Sequence, residues 1–145
     1  MNTTSSRLAK ALAVGAASLA LGVVGVSGQE KSVNDGVYTD VQAGRGAKTF
    51  ESRCTTCHDT GRFTGADFLK QWSGQPVHAL YDVMKTTMPE DNIGGLSDDD
   101  YTRVITYILK LNGFPAGKDP LPSDSTFMRG IRIGPVADAA KSQGR

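Results

Sequence analysis

The sequence predicts an all-α domain with three main helices joined by long loops, and three observations carry that expectation. Apolar residues recur at helical spacing in separate stretches, no stretch alternates long enough to make a useful strand, and glycine and proline punctuate the intervals. At 145 residues the chain has room for one small domain with extensions, and therefore for a single site. A hydrophobic content of 39% with 21% charged residues is that of a globular protein, which excludes a disordered or collagen-like chain.

Residues 1–28 differ in character from the rest of the chain. Arg7 and Lys10 precede an apolar run over 11–26, and Ser27 and Gly28 supply small side chains: the pattern of a secretory signal peptide cut before Gln29. An uncleaved membrane anchor is the alternative, but the run falls short of the roughly 20 residues a spanning helix needs. Loss of this leader removes two basic residues and no acidic one, so the formal charge falls from +1 by two, to −1. A near-neutral chain without a basic stripe excludes nucleic acid as an expected partner. The mature protein is expected to be exported, periplasmic and not stably inserted in a membrane.

Residues 29–37 read as a loose, flexible N-terminal segment. Thr39 and Gln42 then fit a capping box, in which Gln42 reaches back to the cap, and a helix is expected from about Asp40 to the cysteines. Gly44 and Gly46 each weaken that helix intrinsically, so a glycine there signals a close neighbour; Phe50 lies one turn beyond Gly46 on the same face. Residues 59–75 read as irregular around Trp72. Pro76 suits a first helical position, and Val77, Leu80, Tyr81 and Met84 follow as an apolar stripe, with His78, Asp82 and Lys85 on the other face. Pro89 forces Met88 out of the helix. Ser97 opens the third helix with Asp98, Asp99 and Asp100 in its first turn, where the helix dipole favours negative charge without any partner. Tyr101, Val104, Ile105, Ile108 and Leu111 form its buried face, and Asn112-Gly113 closes it. The domain is expected over 38–122. The tail, 123–145, is expected to be partly packed with a disordered end: Phe127, Met128, Ile131 and Ile133, with Leu121 just before it, suggest that it lies along the domain, held chiefly by Leu121, Phe127 and Ile131.

Both cysteines of the chain and one of its two histidines stand together in Cys54-Thr55-Thr56-Cys57-His58. Cys-x-x-Cys-His is the attachment sequence of c-type haem: two thiols add to the porphyrin vinyl groups, and the next residue binds iron. Three other readings compete. A disulfide across two residues would constrain little and leave His58 unexplained, a redox dithiol expects a βαβ setting, and zinc needs a fourth ligand.

With these residues the chain resembles a class I monohaem cytochrome c over about residues 38–122. Gly46, Phe50 and Cys54 have the spacing of the family's N-terminal helix, while Val104 and Tyr107 match the C-terminal helix that crosses it. Met88-Pro89, Gly94-Gly95-Leu96-Ser97 and the run from Tyr107 to Gly117 are similar to small cytochromes and cytochrome domains that accept electrons from quinoprotein dehydrogenases. The resemblance implies a class I cytochrome c fold around one covalent haem c, with redox proteins as partners. One departure stands out: the family's Gly-Pro pair, whose proline carbonyl holds the ring N–H of the iron-bound histidine, is Gly61-Arg62 here.

For the sixth ligand the candidates are Met84, Met88, Met128 and His78. Met84 belongs to the apolar stripe, His78 to the polar face and Met128 to the tail. Met88 stands past the helix end with a thioether free to reach iron, and the resemblance indicates the same residue. Trp72 has two readings, an indole N–H on a haem propionate or simple core packing. With His58 and Met88 filling both axial positions, the expected function is that of a single-electron carrier between a dehydrogenase and a respiratory acceptor, not an enzyme. A weak or absent sixth ligand would instead make a haem-based sensor or a peroxidase-like enzyme.

Overall fold

The computed structural model describes residues 30–135, so the expectations for the leader and for the end of the tail lie outside the described residues. Two crossed helices dominate. Helix α1, Asp40–Arg53, starts where Thr39 Oγ1 accepts the Gln42 N–H at 3.1 Å. Helix α4, Asp98–Leu111, starts where Ser97 Oγ accepts the Asp100 N–H at 3.1 Å. Gln42, Ala43, Gly46 and Phe50 form the buried face of α1, and they meet a face of α4 that includes Val104, Ile105 and Ile108. Gly46 is where the backbones come closest: a Cβ added there would overlap the carbonyl oxygen of Arg103. Phe50 and Tyr107 close the crossing with ring centroids 5.6 Å apart.

Helix α2, Gly65–Trp72, corrects the expectation of an irregular stretch over 59–75 and of only three main helices. Its apolar side is Phe68, Leu69 and Trp72, an i, i+1, i+4 set too short to register as a period between the flanking glycines. Helix α3, Val77–Thr87, buries Val77, Leu80 and Tyr81 and ends at Met88; Pro76 is its cap rather than its first residue.

The N-terminal segment is ordered from Lys31, contrary to the expected looseness. Strand β1, Lys31–Ser32, pairs in parallel with β2, Ile131–Arg132, and Val33 beside it is fully buried. Between α4 and β2 the tail forms α5, Ser125–Arg129, against α3. Leu121, Met128, Ile131 and Ile133 are buried, whereas Phe127 is 38% exposed, under the ammonium of Lys31 at 5.2 Å. Met128 thus occupies the interior place expected for Phe127, because a five-residue helix turns only one of two adjacent side chains inward. Ile133 makes two backbone hydrogen bonds, donating to the Gln75 carbonyl (2.9 Å) and accepting the Gly74 N–H (2.6 Å), and these tie the tail to the turn after Trp72.

Gln42 does not close the expected capping box. Its buried amide instead brackets Leu121, accepting the Leu121 N–H and donating to the Leu121 carbonyl, both at 2.8 Å. The aspartates of α4 also have partners: Asp98 pairs with Lys85 at 2.6 Å, and Asp99 and Asp100 pair with Arg103.

Candidate haem site

The cysteine-histidine motif is one more turn added to the end of α1. Cys54 caps that helix, its N–H donating to the Phe50 carbonyl at 2.8 Å, and its own carbonyl accepts the N–H groups of Cys57 (3.2 Å) and His58 (2.9 Å). This double acceptance folds the three residues against one another. Neither thiol is in a disulfide; Cys54 is half-buried, Cys57 exposed, and burial pushes the Cys54 thiol up from its ordinary range.

His58 is half-buried, and its Nδ1 is buried with no hydrogen-bond partner among the described residues. A buried polar nitrogen without a partner costs about 1–3 kcal/mol. The proline carbonyl that Gly61-Arg62 lacks is therefore not replaced by another acceptor among the described residues. Aromatic packing meets the ring instead: Phe63 stands edge-on to it at 5.3 Å, and Phe63 in turn meets Phe50 at 5.6 Å. Asn112, at the end of α4, fixes that support by donating to the Phe63 carbonyl (2.8 Å) and accepting the Gly65 N–H (3.0 Å).

Met88 lies at the end of α3, half-buried, its N–H donating to the Met84 carbonyl at 2.8 Å. Its own carbonyl accepts the Tyr101 hydroxyl at 2.6 Å and the Gly94 N–H at 3.4 Å. Met84 is partly buried against the core, Met128 is fully buried in the tail, and His78 is half-buried with its ring 6.1 Å from that of Tyr81. Trp72 is half-buried on the core, 6.4 Å from Phe68.

Phe63, Asn112 and Tyr101 are site residues whose roles the sequence does not announce. Phe63 falls in no period, and Asn112 reads as a helix stop. Tyr101 reads as one more apolar residue, although a buried tyrosine signals a hydroxyl in need of a partner.

The model of the family described as Cytochrome C oxidase, cbb3-type, subunit III matches residues 41–108. Over those residues the chain is similar to a cytochrome c domain of the class I monohaem type. The matched span runs from the first turn of α1 into α4 and takes in the cysteine-histidine motif, Met88 and the Gly46 crossing. No match was found among curated proteins or among solved structures. A cytochrome c domain carries covalently bound haem c with iron. The residues present fit that group: two unpaired thiols and an adjacent imidazole, folded together in one turn by the Cys54 carbonyl. The helix-rich architecture agrees with a cytochrome c fold.

Proposed function

We propose that this protein is an exported single-electron carrier in which Cys54 and Cys57 hold haem c, and His58 and Met88 are the axial ligands. The observation that carries the reading is the family match over the motif, together with two unpaired thiols and the adjacent imidazole folded into one turn. Haem would supply a one-electron couple, and one thioether with one imidazole on its iron would raise the potential relative to two imidazoles.

The protein's own contribution is positioning and exclusion of water. His58 is held by the turn on Cys54 and by the edge of Phe63, and Met88 by hydrogen bonds on both sides of its backbone. Phe68, Leu80 and Tyr81 pack α2 and α3 into the core, and Trp72, half-buried beside them, is proposed to contact the haem. Among the described residues no group of three or more His, Cys, Asp or Glu gathers as a zinc site would require, whereas haem iron needs one nitrogen and one sulfur from different elements.

The partners are redox proteins: a dehydrogenase as donor and a respiratory acceptor. No helix among the described residues is long and apolar enough to cross a membrane; release into the periplasm after cleavage before Gln29 is proposed from the leader pattern of residues 1–28. The reading is tested on the ferric and ferrous holoprotein with added cyanide and carbon monoxide. Slow and weak binding is expected of an iron with two protein ligands; prompt, tight binding would make the protein a sensor or a peroxidase-like enzyme.

A further inference from the structure

A methionine side chain has three rotatable bonds, so a sulfur held at one point needs its backbone fixed first. Met88 follows the last turn of α3 and has extended geometry (φ −130°, ψ 153°), so no helix continues to hold it. Its N–H is anchored backward on Met84 at 2.8 Å. Its carbonyl is anchored forward on a different element: the hydroxyl of Tyr101, in the first turn of α4, reaches it at 2.6 Å, with the Gly94 N–H more distant at 3.4 Å.

Tyr101 is itself immobile. Its side chain is fully buried, its ring stands edge-on to Tyr81 at 6.2 Å, and its own N–H closes the first turn of α4 on the Ser97 carbonyl. That turn is fastened to α3 by the Lys85–Asp98 pair at 2.6 Å. The short hydrogen bond therefore links the methionine peptide to the rigid α1–α4 pair and not merely to its own loop. Phenylalanine would fill the same space, so packing alone does not account for the hydroxyl.

We propose that Tyr101 is the positioning residue of the methionine ligand, acting through the Met88 carbonyl to hold the sulfur at its post. This rests on the reading of Met88 as the sixth ligand. Weakening the hold shifts the population toward a state in which the sulfur is away from iron, and an external ligand captures that state.

The test uses the full-chain holoprotein and cyanide as the probe. Tyr101→Phe is expected to keep its covalent haem, bind cyanide roughly ten-fold more tightly in the ferric form, the scale of one lost hydrogen bond at a buried acceptor, and have a lower potential. Tyr38→Phe, which removes a buried hydroxyl donating to the Phe114 carbonyl rather than to that of Met88, is expected to change the melting temperature but neither readout. Cyanide affinity and potential unchanged in Tyr101→Phe, or changed equally in Tyr38→Phe, overturn the proposal. Met88→Ala separates the two levels: retention of the methionine–iron charge-transfer band there overturns the ligand reading, whereas its loss with an unaffected Tyr101→Phe overturns only the role of Tyr101. Should Tyr101→Phe not accumulate, p-aminophenylalanine at 101 replaces the hydroxyl by a weaker donor. Raised cyanide affinity is then expected, and affinity equal to the unaltered protein contradicts the proposal.

Discussion

Met88 and Met84 are one helical turn apart, yet their surroundings assign them different work. Met84 lies within α3, partly buried against the core, while Met88 is the extended residue that ends the helix, with both its backbone groups engaged from outside. Met84→Ala is expected to lower stability by about 2 kcal/mol, the low end for truncating a core methionine because the site is only half-buried. The methionine–iron charge-transfer band should survive. Met88→Ala is expected to abolish that band and lower the potential; thermal melts and ferric spectra of the two variants decide between them, and the reverse pattern would exchange the roles. The stripe Val77, Leu80, Tyr81, Met84 was legible in the sequence because helical spacing and Pro89 leave little choice of geometry. The orientation of His58 was not, because it depends on Phe63 and Asn112, which are far apart in sequence and meet only once α4 is folded.

Glycines 44 and 46 of α1 look alike as helix weakeners, and the crossing with α4 separates them. A Cβ at Gly46 would overlap the Arg103 carbonyl, whereas one at Gly44 would meet nothing within 4 Å. Gly46→Ala is therefore expected to destabilise by at least about 1–3 kcal/mol through overpacking. Gly44→Ala is expected to stabilise by up to about 1 kcal/mol through helix propensity, both read from denaturant midpoints. The α1–α4 pairing was visible in advance because glycine, aromatic and aliphatic positions repeat at helical intervals. Helix α2 was not, since eight residues between glycines carry too little period, and the β1–β2 pairing was not, since two-residue strands have no alternation to read. The tail joins these elements: it supplies the backbone partner of buried Gln42, the apolar groups Met128, Ile131 and Ile133, and the hydrogen bonds to Gly74 and Gln75. Truncation after Gly117 removes all of them, each buried aliphatic side chain being worth about 1.5–3 kcal/mol before ordering costs. A large fall in melting temperature is expected, and an unchanged melt would detach the tail from the fold.

The described residues form a helical domain whose first and last strands, β1 and β2, pair with one another, and its stability carries a pH signature. Tyr38 is fully buried at the entrance to α1, its hydroxyl donating to the Phe114 carbonyl at 2.6 Å, and desolvation, with a smaller contribution from Asp40, pushes its pKa from 10.0 up to about 12. The folded state then holds a proton that the unfolded chain releases, so this contribution is complete below pH 10 and is lost as pH rises toward 12. About 2–3 kcal/mol should disappear across that window. Tyr38→Phe is expected to flatten the slope there, and an identical slope in both proteins would remove Tyr38 from the account. At neutral pH everything depends on the motif at the end of α1, where Cys54, Cys57 and His58 share one turn beside a nitrogen that no described protein group satisfies. Mass spectrometry of the denatured protein, exported from cells that possess haem-maturation machinery and mapped by peptide, tests that most directly. One haem added to the polypeptide, borne by the peptide that contains Cys54 and Cys57, is the expected result; a bare polypeptide with those two cysteines joined in a disulfide would contradict it.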